Sequence, residues 1–437
     1  MLASTANTRN EVELQTQSTL QPWIVCLSAA LFFFYEFIQM GMFNSISPDL
    51  MTAFNINAVQ LGNLSATYFY GDVIFLFFAG MLLDHISTRT VILSAMTLCI
   101  IATILFALSH SILMAGISHL AAGIGNAFCF LSCIKLTTRW FSAQRTALVI
   151  GLIVTIAMAG GVFAQTPLTL LVQALGWRHA VLTDALLGII ILAIIWRNVH
   201  DQPASDKAIN NLTQSSPSSL GLKRSIRFAF ANAQNWLGGL YTCLLNLPIF
   251  LLGELWGVMY LMQVDHISRV QASYITTMVF VGTIIGCPIV GMLSDRLGKR
   301  RMPMIVGAIL SLIVMFAIML TPNLTFWPLL ILFLLLGIFT SAQIIAYPAI
   351  AESNPKALTG TATGLASVLI MGGGAVFQPF FGWLMGLHWN GLIENGVRIY
   401  SHADFFRGMA IMPIAFIIGL IAALFIRETH CKPYIER

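Results

Sequence analysis

The stretch Gly291-Met292-Leu293-Ser294-Asp295-Arg296-Leu297-Gly298-Lys299-Arg300-Arg301 closes one long apolar run, and Gly80-Met81-Leu82-Leu83-Asp84 closes another at the corresponding place in the first half of the chain. Gly71 and Gly282 fall in the same register. A signature repeated at a fixed place marks an internally duplicated architecture. Glycine lets helices approach closely, and an aspartate followed by a basic cluster can pair across a seam with arginine or a helix N-terminus. The first copy is degraded: His85 replaces an arginine and Ser87 a glycine.

Working outward, apolar runs of about twenty residues recur along nearly the whole chain, the length that crosses a bilayer. Hydrophobic residues are 58% and charged residues 9% of 437, with mean hydropathy +0.85. A soluble protein carries roughly 25% charged residues. The runs predict about twelve membrane helices: near 23–46, 59–84, 91–110, 112–136, 146–173 and 179–197, then near 232–262, 270–293, 303–321, 326–349, 358–386 and 405–426. The expected fold is an all-α membrane protein of two pseudo-symmetric six-helix halves. Its parts are an N-terminal arm 1–22, a half 23–197, a linker 198–231, a half 232–426 and a tail 427–437. The linker carries Ser215-Ser216-Pro217-Ser218-Ser219, a flexible composition. Met1 to Gln21 is polar, with Glu11 and Glu13, and reads as a disordered arm rather than a cleaved signal.

Lysine and arginine set the orientation. Of the 22, only Arg178, Arg269, Arg398 and Arg407 fall in loops on the side away from the termini. Both termini are therefore expected in the cytoplasm. The net charge of +5 is a topology signal in short loops and no nucleic-acid patch. Cys26, Cys99, Cys129, Cys133, Cys243 and Cys287 lie inside apolar runs with no metal spacing, so neither disulfides nor a metal site is expected. No G-x-x-x-x-G-K-[ST] motif is present, no nucleophile constellation suggests an enzyme, and no cofactor is implied.

Ionisable residues inside a membrane are functional by default. Glu36 lies about 13 residues into the first span, roughly 20 Å from its cytoplasmic edge, and Asp72 roughly 18 Å from the same edge. Both are candidates for proton coupling. Glu254, six residues after the helix-breaking Pro248, and His119, whose side chain titrates near neutrality, are further candidates; Asp184 lies at a depth similar to His119. Tyr35, Gln39, Tyr70, Trp256 and Gln378 are candidates for the solute cavity. The conformational gate is assigned to Gly80, Asp84, Arg89, Gly291, Asp295, Arg296, Gly298 and Arg300. Glycines and prolines in the fifth and eleventh spans are expected to hinge or pack.

Tyr35-Glu36-Phe37, Leu61-Gly62-Asn63-Leu64-Ser65-Ala66, Arg139-Trp140-Phe141, Gln234-Asn235-Trp236, Leu255-Trp256-Gly257, Gly360-Thr361-Ala362 and Gln378-Pro379 resemble the phagosomal transporter group of the major facilitator superfamily. The resemblance implies a bacterial inner-membrane importer of amino acids or nucleosides. It departs at Gln39-Met40, where the group often has an arginine that could pair with a carboxylate. The expectation is a monomeric secondary transporter in the lipid bilayer that works by alternating access. It would couple to protons and import a small polar, amino-acid-like solute. A siderophore or organic-acid carrier is one alternative, and a non-transporting receptor or sensor another.

Overall fold

In a computed structural model of the chain, the residues described are 20–141, 143–201, 222–321, 323–355, 358–394 and 397–432; at 77, 80, 81, 84, 143, 144, 147 and 222–226 the description stops at the backbone. Nineteen residues of the expected arm and most of the linker, Ser216 included, lie outside them.

Among the described residues, eleven helices are apolar and long enough to cross a membrane: α1 (Leu20–Phe54), α3 (Thr88–Ala107), α4 (Ile112–Trp140), α5 (Leu148–Leu175), α6 (Trp177–Asn198), α7 (Ala233–Gln263), α8 (Arg269–Leu297), α9 (Arg301–Leu320), α10 (Phe326–Glu352), α11 (Thr359–Gly386) and α12 (His402–Phe425). The 28-residue α2 (Ala58–His85) completes the set. The chain is a multi-pass membrane protein. Small polar residues in the loops start these helices. Asn57 and Gln60 form a reciprocal cap on α2, Ser87 caps α3, Ser111 caps α4 and Ser268 caps α8. The span expected to stop near 46 continues to Phe54, although Ser47-Pro48-Asp49 reads as a loop. That end of the helix packs on the other half: the Arg269 guanidinium pairs with Asp49 and with the Ser45 carbonyl.

The duplication is visible in the backbone. A Cβ on Gly71 of α2 would lie 2.3 Å from the Leu120 carbonyl of α4, and one on Gly282 of α8 would lie 2.3 Å from the Leu334 carbonyl of α10. The same helix pair meets main chain to main chain in each half. The halves join through two related crossings, α2 on α11 and α5 on α8, with α1 also against α7.

The crossings are not equally closed along their length. Hydrogen bonds and ion pairs between the halves, among the described residues, lie on the side away from the chain ends. Examples are Thr166 with Ser273 at 3.2 Å, Gln165 with Thr276 at 2.8 Å and the Ala58 N–H to the Tyr400 hydroxyl at 3.0 Å. Toward the termini side, a Cβ on Gly151 of α5 or on Gly360, Gly364 or Gly372 of α11 would meet nothing within 4 Å. Among the described residues, the polar ties between the halves are thus confined to the far side.

Candidate functional site

In the first half, α1 carries a polar face into the bundle. Glu36 is wholly buried. Its Oε2 accepts from the Tyr68 hydroxyl at 2.8 Å and its Oε1 from the Cys99 thiol at 2.6 Å. One turn on, Gln39 donates to the Asp184 carboxylate of α6. The Thr103 hydroxyl of α3 lies 3.0 Å from Gln39 Oε1 and 2.8 Å from the Cys99 carbonyl, and it accepts from Tyr35 at 3.2 Å. Tyr68, Glu36, Cys99, Thr103, Gln39 and Asp184 thus form one connected chain across α1, α2, α3 and α6. Asp72 is buried on α2, with the Asn126 amide of α4 as its partner. His119 is enclosed by the rings of Phe43, Tyr68 and Phe106, at centroid distances of 4.5, 5.2 and 5.7 Å. Its Nδ1 and one oxygen of Asp184 have no partner.

That placement revises two expectations. Tyr35 and Gln39, read as cavity residues, turn into the first half against α3 and α6; a Cβ on Gly188 of α6 would lie 2.8 Å from the Tyr35 ring. Tyr70 is 40% exposed on α2, and no polar contact ties it to the network.

In the second half the landmark is α7. After Pro248, residues Ile249–Trp256 form a π-helical segment, every residue of it buried. A π turn widens the helix and leaves carbonyls without their usual partners. Three side-chain amides from three other helices take them up. Asn44 of α1 donates to the Leu252 and Gly253 carbonyls at 3.1 and 3.0 Å and accepts from the Val258 N–H at 3.0 Å. Gln165 of α5 donates to the Gly253 carbonyl at 2.6 Å, and Gln378 of α11 to the Phe250 carbonyl at 3.0 Å. Asn44 and Gln165 also bond each other at 2.7 Å. On this segment both Glu254 oxygens, Trp256 Nε1 and, facing it, Gln378 Oε1 lack partners. Trp256 stacks on Phe381 at 5.5 Å. One turn toward the termini side, Gln343 from the 3₁₀ interruption of α10 donates to Asn246 at 2.9 Å. Both keep 8% exposure.

On the termini side, Arg300 holds Glu352 at 2.7 Å and Asp295 at 2.6 Å, so Asp295 pairs within its own half. Gly298 takes the left-handed conformation, φ +59°, that glycine adopts most readily. Ser87 at the matching place has φ −53° and caps α3 instead. Gly291 has open space before it, and Arg296 ends α8 at the surface. Gly80 and the Asp84 side chain lie outside the described residues. Arg89 donates its N–H to Asp201 at 2.9 Å and its guanidinium to the Trp196 carbonyl at 2.6 Å. Asp201, just past α6, also takes the Ser87 hydroxyl. Glu428, just past α12, accepts the N–H groups of Arg300 and Arg301 at 2.8 and 3.0 Å. Each half therefore ties the start of its third helix with a carboxylate from beyond its sixth. Among the described residues no group of three metal-ligating side chains converges.

The profile of the Major Facilitator Superfamily matches residues 29–264 and 255–434. The chain belongs to the Major Facilitator Superfamily. This superfamily member is 23% identical over 359 residues to a probable hexose phosphate transport protein of Chlamydia pneumoniae, covering 76% of this chain and 78% of that one. It is 24% identical over 389 residues to the membrane sensor protein UhpC of Salmonella typhimurium, covering 84% and 85%. A bacterial homologue of the human lysosomal transporter Spinster, solved inward-facing and unoccupied, shares the fold with a TM-score of 0.75 at 17% identity over 93% of this chain and 98% of that one. The chain is a secondary transporter by family, with a small molecule as its cargo.

Sequence reading missed Asn44, Gln165, Asn126, Asn246 and Gln343. Uncharged amides in apolar helices carry no charge to mark them. Pro248 was the one signal for the α7 segment. Asp201, Glu352 and Glu428 sit at helix ends, where carboxylates are ordinary.

Proposed function

We propose that this superfamily member imports a small polar, amino-acid-like nutrient with protons across a bacterial inner membrane. It acts as a monomer with both termini in the cytoplasm and belongs with the phagosomal transporter group. The observation that carries the coupling is the buried chain from Tyr68 through Glu36 and Cys99 to Thr103, Gln39 and Asp184. Among the described residues no lysine or arginine pairs with its carboxylates, nor with Asp72 or Glu254. A carboxyl with hydroxyl and thiol partners and no counter-ion can gain and lose a proton without breaking an ion pair. The confinement of polar ties between the halves to the far side, among the described residues, supports an alternating-access cycle caught at its cytoplasmic release step.

The name of the chlamydial relative raises a phosphorylated sugar as cargo, and that of the Salmonella relative raises sensing without flux. One reconstitution experiment addresses coupling and flux together. Glu36→Gln keeps shape and hydrogen bonding but cannot titrate. Uphill accumulation driven by a pH gradient is expected to vanish while counterflow exchange of the same solute persists. Accumulation by Glu36→Gln with unchanged pH dependence refutes Glu36 as the coupling group. Absence of both fluxes in the unsubstituted protein, across amino acids, nucleosides and sugar phosphates, favours the sensor.

A further inference from the structure

The interior of this transporter has an unusual charge inventory. Every lysine and arginine that touches a span sits at or near its end. Several have assigned partners there: Arg178 on the Ala107 and Ser109 carbonyls, Arg269 on Asp49, Arg300 on Asp295 and Glu352, and Arg407 on Asp404. Lys135, the deepest, donates to the Leu83 carbonyl near the termini side.

Deeper in, the polar groups are acceptors and amides. Glu254 is 1% exposed with neither oxygen partnered, and Gln378, wholly buried, has a free Oε1. The Asn246–Gln343 pair bridges α7 and α10, and both side chains keep 8% exposure. The one free N–H donor on the α7 segment is Trp256 Nε1. A buried acceptor without a partner is costly and waits for a donor. A phosphate or carboxylate needs the reverse, a cation or several converging N–H groups. Amides suit hydroxyls, since each offers both a donor and an acceptor.

We infer that the solute of this site carries no net negative charge: the cavity takes a neutral, zwitterionic or cationic molecule rich in O–H and N–H groups and discriminates against phosphates and carboxylic acids of net negative charge. The inference rests on the transport reading above and narrows its solute class. It places Asn246 and Gln343 against hydroxyl or amino groups as the solute leaves for the termini side, and Glu254 and the Gln378 oxygen as acceptors deeper in.

The test uses compounds that differ only in the anionic group, each offered to the full-length protein in proteoliposomes: glucose and glucose 6-phosphate, adenosine and adenosine monophosphate, and 2,5-dihydroxybenzyl alcohol and 2,5-dihydroxybenzoate. In any pair that is transported, the member with the less negative charge is expected to exchange at least about tenfold faster, because like-charge juxtaposition is strongly disfavoured. A faster phosphate or benzoate overturns the inference. In parallel, inorganic phosphate is titrated against the thermal unfolding midpoint of purified protein, with chloride at equal ionic strength as the reference. No phosphate-specific shift is expected, and a saturable one overturns the inference without reference to flux. If no compound is transported, the transport reading fails while the phosphate titration still decides the charge preference.

Discussion

Asn44→Leu tests whether the far-side closure depends on the amides that clasp the π segment of α7. The substitution removes four contacts, but not all of their partners are stranded. The Gly253 carbonyl keeps Gln165 Nε2 at 2.6 Å, and Gln165 Oε1 keeps the Thr276 hydroxyl at 2.8 Å. The Leu252 carbonyl in the π segment and the Val258 N–H just past it, both on buried residues, lose their side-chain partner. An orphaned buried group costs about 1–3 kcal/mol, so the two together disfavour the far-side-closed state by about 2–6 kcal/mol. When that side opens, water reaches both groups and the cost largely disappears. The balance between the two states should then move roughly thirty-fold to 25,000-fold toward far-side opening. Alkylation of single cysteines reports this, with Cys287 and Cys431 first replaced. A cysteine at Gly364, in open space on the termini side, is expected to react more slowly in Asn44→Leu than in the parent. One at Thr277, 6% exposed in the far-side seam, should react faster. Unchanged rates at both positions, in a variant with an unaltered thermal midpoint, would refute the clasp as the gate.

Three further outcomes are expected. Gly71→Val should abolish folding or cost several kcal/mol, since its Cβ would meet backbone at 2.3 Å; Gly151→Ala, with nothing within 4 Å, should stay within about 1 kcal/mol of the parent, and equal losses in thermal midpoint would contradict the packing. Glu352→Gln should lower the midpoint more than Asp295→Asn, because Arg300 holds both but their side chains are 14% and 68% exposed; the opposite order would return the weight to the signature aspartate. In the far-side loop after α7, burial pushes the Asp265 carboxyl up from 3.8 to about 6, against the opposing N–H groups of Leu324 and Asn323 and the charges of His402 and His266. A raised folded-state value means that its contribution is complete below about pH 4 and lost as pH rises through about 6, so the midpoint of the parent minus that of Asp265→Asn should shrink from pH 4.5 to 7.5; a constant difference would discard this assignment.

The duplicated Gly-Asp runs and the apolar periodicity were enough to read twelve helices in two halves, because a bilayer demands long apolar segments and charged loops. The expected seam role of the signature was less complete: Arg300 spends its fork on Glu352 as well as Asp295, and both belong to one half. The carboxylates stood out in sequence since charge is rare in such helices, yet sequence could not say which way each helix face turns. Tyr35 and Gln39 sit beside Glu36 in the chain, and all three face into the bundle rather than into the seam. Asn44 and Gln165 were invisible for a different reason. Their importance comes from what they touch far along the chain, 88 residues away for Gln165 and 208 for Asn44, in a backbone irregularity that hydropathy does not register.

The matched ties of Asp201 and Glu428 bear on how the protein can be divided. Each belongs to the segment leaving the sixth helix of its own half and closes on the third helix of that half. A polypeptide ending just past Asp201 and a second one beginning ahead of Leu222 would each possess its own fastening. Such fragments, made separately in one cell, have what they need to mature independently and then reassociate through α2 with α11 and α5 with α8. A break introduced there would interrupt covalent continuity and leave each half's wiring whole.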